Sequence, residues 1–182
     1  YDKWAPQVWA TLNAWKPNLW RKGETYATGE SDLHQLFANS EVDFDFTQLP
    51  SGAATFIAAG QIPATSRAFT FKQNMVGDFN YLAIPYDAPD KAAALVLANL
   101  VLRPDMQAAQ VQPQNGFGLG FAIDVTKVTD DSGKKALLVA SQNLGDAAAP
   151  ADQLSAALVS DIAPEYQALI EKDWAANVLQ SK

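Results

Sequence analysis

Apolar and polar positions along the chain switch period several times, from the three-to-four spacing of helices to the two of strands and back. Val8, Trp9, Leu12 and Trp15 recur at helical spacing, Pro6 suits a first helical turn and Pro17 ends the run, which predicts a helix over residues 6–15. Gly23 and residues 25–28 read as a turn and a short strand. A second helix is expected over 32–39, with Ser31 as its cap and Leu33, Leu36 and Phe37 as its apolar side. The period then drops to two: Val42, Phe44 and Phe46 alternate with Asp43 and Asp45, the signature of a strand with one buried face. Residues 48–52 form a loop in which Ser51 is placed to cap a helix over 53–59, stopped by Gly60. Strand, loop and helix start in that order make the geometry at which α/β folds bind ligands.

Further along, 66–71 and 79–85 read as extended runs joined by a polar turn at 72–78. An apolar helix is expected over 90–102, and Pro104 breaks it from a shorter one ending near 111. Residues 112–120, rich in Gln and Gly, read as a loop, 129–134 as a flexible turn and 145–151 as an Ala-rich connection. A closing helix over 164–180 carries Tyr166, Ile170, Trp174 and Val178 at intervals of four. The alternation of helix and strand signals predicts an α/β architecture.

Composition narrows the function classes. With 13 basic and 20 acidic residues in 182, the net charge is −7, and the acidic excess spreads over everything beyond residue 24. No basic stripe is left for a phosphate backbone, so nucleic-acid binding is not expected. The longest apolar run, 92–102, is interrupted by Asn99 and falls short of the roughly 20 residues of a membrane span. Cysteine is absent, which removes disulfides, thiolate metal sites and cysteine nucleophiles. The chain opens on Tyr1 inside what reads as domain interior, so a fragment or processed chain is expected.

Little in the sequence assembles a reaction centre. His34 is the single histidine, beside Asp32, and reads as a hydrogen-bonded or exposed helix residue because zinc sites and His-dependent triads need further partners. Gly116-Phe117-Gly118-Leu119-Gly120 resembles a dinucleotide fingerprint only superficially, since Phe121 follows where a closing glycine belongs, and it reads as a flexible connection. Asp43 and Asp45, two strand positions apart, would sit about 7 Å from each other on one side, a spacing at which paired carboxylates act as acid and base. A solvated strand face is the blander account of that pair. Four tryptophans, Trp4, Trp9, Trp15 and Trp20, crowd the first segment and read as packing residues, with a stacking or docking platform as the alternative. No catalytic residue, metal site or cofactor is expected.

Two segments carry a family resemblance. Residues 33–44, LHQLFANSEVDF, and residues 78–91, DFNYLAIPYDAPDK, followed by ANLVLRP at 98–104, resemble the C-terminal half of an extracellular (periplasmic) solute-binding protein of an ABC importer, of the YnjB type. The resemblance covers most of residues 4–120 and fades beyond. It implies a periplasmic-binding-protein-like (type II) lobe with a mixed sheet flanked by helices. Residues 1–75 would form most of lobe two, 76–115 a return segment toward lobe one, and 116–182 closing helices. It implies a periplasmic protein that captures a small solute in a hinge cleft and delivers it to a membrane permease, without reaction or insertion into the membrane. The ligand-facing positions carried over are Thr47, Gln48, Ser51, Asp78, Phe79 and Asn80; hydroxyls, amides, an acid and an aromatic would suit a small polar or cationic solute. Arg67 and the helix start at Ser51 would equally suit an anion, so the sign of the ligand stays open. With lobe one missing, the apolar surface of 79–102 would be uncovered and dimers of the fragment are expected. A protein-interaction domain using the tryptophan-rich helix and a hydrolase using Asp43 and Asp45 remain the alternatives.

Overall fold

The computed structural model describes residues 1–77 and 80–180. The helices are α1 (Ala5–Trp15), α2 (Glu30–Ala38), α3 (Gly52–Ala58), α4 (Lys91–Val101), α5 (Pro104–Gln110), α6 (Asp131–Leu144), α7 (Ala151–Ala157) and α8 (Glu165–Trp174). The only sheet among the described residues is a parallel pair of two-residue strands, β1 (Met75–Val76) and β2 (Leu158–Val159). The chain divides into two units, one made of Tyr1–Asp45 and Ser160–Lys182, the other of Phe46–Val159.

This corrects the expected fold class. The protein is mostly helical, and the mixed sheet of a type II periplasmic-binding lobe is not what these residues build. The runs at 25–28, 42–47, 66–71 and 80–85 contain no strand or helix. Their period-two patterns record a backbone preference, whereas a sheet also needs partner strands, and pairing is a non-local property that alternation does not encode.

The helices follow local chemistry more closely. Asp90 caps α4 by accepting from the Ala93 amide at 2.8 Å, and Pro104 opens α5 at a position that needs no amide hydrogen. Within the first unit, α8 gives way to a π-helical stretch, Ala175–Leu179, and the predicted stripe grades from an exposed Tyr166 through half-buried Ile170 and Trp174 to a fully buried Val178. Lys16 donates its Nζ to the Val178 carbonyl and Asn13 donates to that of Asn177, tying α1 to this stretch. The tryptophans divide: Trp174 meets Tyr26 edge to face at 5.1 Å and Trp20 is half-buried, while Trp4 and Trp15 are exposed.

The second unit has the clearest core. Ala108 and Val111 of the α5 end pack on Leu137 and Ala140 of α6, with Phe121, Ile123, Val128 and Leu144 around them. Residues 129–134, expected to be a flexible turn, instead start α6: the Asp130 carboxylate accepts from the Gly133 amide. Small side chains let α5 and α6 approach, since a Cβ on Gly133 would lie 2.8 Å from Pro104 Cβ. Gln107, buried in this core, donates from Nε2 to the Val101 carbonyl at 2.7 Å and accepts at Oε1 from the Ala122 amide at 2.7 Å.

Candidate functional site

Three of the six ligand-facing candidates share one loop of the second unit. Thr47 accepts the Leu49 amide at 3.1 Å and folds the loop back over Gly52. Gln48 stands exposed at the bend. Ser51 is only 1% exposed, and its side chain does not cap α3. Its amide donates to the Gly118 carbonyl at 2.9 Å and its hydroxyl to the Leu119 carbonyl at 2.7 Å. Ser51 therefore positions the loop, and its hydroxyl is engaged inside the protein.

The partner of that loop was not apparent in the sequence. The glycine run at 116–120, expected to be a flexible connection, is a strap packed on the loop. Gly118 is buried at φ +64°, and a Cβ there would come within 2.9 Å of Leu49 Cδ1 and 3.3 Å of the Gly52 Cα. Only glycine satisfies both the left-handed backbone and the close approach. The signal was present in the glycine spacing, but nothing local indicated a partner some 70 residues away.

The other candidates lie elsewhere. Asn80 is exposed in a segment without regular structure, and Asp78 and Phe79 lie outside the described residues. Arg67 donates to the Ala64 and Ser66 carbonyls and sits 3.5 Å from the Asp146 carboxylate, beside an open groove of about 370 Å³ that also touches Ile57, Asn143 and Leu144. That guanidinium is already matched by an acid.

In the first unit, His34 bonds through Nδ1 to Asp45 Oδ2 at 2.6 Å, while Nε2 is 3.6 Å from Glu30 Oε1. Asp32, the expected neighbour, instead accepts from the Thr28 amide and hydroxyl. Asp43 is exposed and Asp45 is bound to His34, so the two aspartates occupy different surroundings. An open groove of about 510 Å³ runs along α1 and α8, lined by Trp9, Ala5, Asn13, Asp173 and Asn177. At its end the Tyr1 hydroxyl donates to Asp173 at 2.9 Å; desolvation and the neighbouring carboxylate push the Tyr1 hydroxyl above its ordinary ionisation range. Among the described residues no group of three His, Cys, Asp or Glu is placed to hold a metal ion, and no helix is long and apolar enough to cross a membrane.

Comparison with known proteins adds one relative. No family model matches the chain, and no solved structure matches it. Protein YnjB of Escherichia coli (strain K12) is 33% identical over 123 residues, which is 68% of this chain and 31% of YnjB. The matched stretch thus spans less than a third of that relative's length. One-third identity sustained over 123 residues marks this stretch of the chain as homologous to part of YnjB.

Proposed function

We propose that the chain is part of the substrate-binding component of an ABC importer, holding a small solute outside the inner membrane and handing it to a permease without changing it chemically. The two motif-bearing segments, 33–44 and 78–104, motivate the reading, and the YnjB relationship is consistent with it. The observation that supports it most is the loop at 47–51. A surface turn carrying a hydroxyl and an amide is anchored from beneath by a buried serine with two hydrogen bonds to the glycine strap. Polar groups held on a rigid support are what solute recognition requires, because ordering them on binding would otherwise cost affinity. In this reading the protein is periplasmic, Thr47, Gln48 and Asn80 face the solute, and Ser51 holds the loop.

The test is thermal unfolding with spermidine, thiamine, maltose and sulfate, each in excess, on this chain and on the full-length product of its gene. A ligand binding the folded state alone stabilises by about 2.7 kcal/mol at a hundredfold excess over its Kd. Stabilisation by one class, lost in a Gln48→Ala Asn80→Ala variant, supports the proposal. A ligand recovered as a reaction product would overturn it.

A second reading has its own observation. Trp4 and Trp15 are exposed on and beside α1, with Lys3 lying over the Trp4 ring at 4.8 Å. Exposed tryptophans suit a protein-docking face. Acrylamide quenching that falls on addition of the permease would favour it.

A further inference from the structure

Two stretches, residues 46–66 and 106–123, contain none of the chain's 13 basic and 20 acidic side chains. They are far apart in sequence, and the fold lays one on the other. The loop at 47–51 rests on the glycine strap through the two bonds from Ser51 to the Gly118 and Leu119 carbonyls, and Pro113 shares a groove with Ala54, Ile57 and Ala58 of α3. Burial does not account for the missing charges, because Gln48 and Gln114 stand exposed and Phe117 is 58% exposed. Gln48 and Phe117 each lie one residue from the contact between Leu49 and Gly118, so the amide and the ring emerge where the loop and the strap meet. In the groove beside α3, Arg67 and Asp146 sit 3.5 Å apart and offset each other.

We propose that the solute taken where loop and strap meet is neutral and polyhydroxylated, a sugar or a cyclic polyol. Phe117 is the surface on which its C–H face packs, and the amides of Gln48 and Gln114 are the partners of its hydroxyls. The proposal rests on the reading of the chain as a solute-binding component and names the chemical class that component takes. A charged solute gives up water on binding, and that cost is recovered only beside an opposite charge; neither stretch has one to give. A hydroxyl both donates and accepts, and so does a carboxamide, whereas a carboxylate only accepts and an ammonium only donates. An exposed ring supplies the apolar wall that a purely polar turn lacks, and a sugar has a C–H face to set against it.

The test is isothermal titration of the full-length gene product, at low and at high sodium chloride. The probes are glucose, maltose, trehalose and myo-inositol, with spermidine, thiamine and sulfate beside them. The expected result is binding of a neutral compound whose Kd changes less than about twofold between the two salt concentrations, since no charge is there to screen. Phe117→Ala weakens that binding at least about fivefold, and Phe117→Tyr, which keeps the ring, restores it. Circular dichroism checks that both variants fold, and the exposure of Phe117 makes that the expected outcome. Binding confined to spermidine, thiamine or sulfate and weakened in Gln48→Ala overturns the neutral-solute inference while the importer reading stands. A neutral compound bound equally well by Phe117→Ala overturns the placement on the strap, and binding of none of the probes overturns the inference as a whole. A sugar bound at Phe117 but recovered chemically altered overturns the importer reading and leaves the ligand class in place.

Discussion

Replacing Gly118 with alanine tests the strap that supports the candidate loop. At φ +64° a side chain costs about 1–2 kcal/mol in backbone energy alone. The added Cβ would also lie 2.9 Å from Leu49 Cδ1, 3.1 Å from Leu49 Cβ and 3.3 Å from the Gly52 Cα. The leucine tip can turn away, whereas the backbone of Gly52 cannot, so overpacking adds about 1–3 kcal/mol and the total is about 2–5 kcal/mol. Gly116 is the internal control. Its φ is +74°, yet nothing lies within 4 Å of a Cβ there, so Gly116→Ala carries only the backbone cost of about 1–2 kcal/mol. Urea unfolding followed by far-UV circular dichroism gives both values. All five tryptophans lie in the unit made of Tyr1–Asp45 and Ser160–Lys182, so their fluorescence serves as a separate reporter away from the strap. The account expects Gly118→Ala to cost more than Gly116→Ala and to weaken solute binding through the loop. Equal costs at the two glycines would refute the packing of the strap on Leu49 and Gly52.

Other expectations follow from single contacts. Leu137, 4% exposed between α5 and α6, loses about 2–5 kcal/mol on truncation to alanine, measurable by urea unfolding; a change below about 1 kcal/mol would mean that the α5–α6 core is not closed. Gln107→Ala leaves the Val101 carbonyl and the Ala122 amide without their buried partner and costs about 1–3 kcal/mol, whereas Gln107→Glu retains an acceptor for Ala122 and loses the donor to Val101. The Asp124 carboxyl is held below its ordinary range first by the Thr126 hydroxyl and then by Lys127, and Asp105 is held low first by its hydrogen bonds from Arg103. Because both folded-state values are lowered, the stability these groups contribute is present above the ordinary carboxylate pKa and is lost as pH falls through the lowered values. Carboxyl NMR should show Asp124 titrating below an unstructured aspartate and moving up in Thr126→Val; a midpoint at or above the ordinary value contradicts the capping geometry.

What the sequence disclosed, and what it hid, divides along the range of the interactions. Helices announced themselves through contacts three or four residues long: Asp90 caps α4, Pro104 opens α5, and α3 stops just short of Gly60. Asp130 carried the same kind of signal, but the following Asp-Ser-Gly read as a turn because the glycine's use, room for Pro104, is a tertiary fact. Alternation at Val42, Phe44 and Phe46 was real and led to no strand, since extended backbone becomes sheet only beside a partner. In the candidate site, Thr47 and Gln48 were readable as a turn, while the bond from Ser51 to Leu119 spans 68 residues and left no local trace. His34 was paired in sequence with its near neighbour Asp32; the fold gives it Asp45, eleven residues away.

The central claim is capture of a small molecule without reaction. The most direct measurement is to saturate the full-length protein with the stabilising ligand, separate the complex by gel filtration, denature it, and determine the released molecule by mass spectrometry against the protein concentration. The account predicts one molecule per chain, of unchanged mass after prolonged incubation, and its loss in the Gln48→Ala Asn80→Ala variant. A released molecule of altered mass, or retention unaffected by those substitutions, would contradict it.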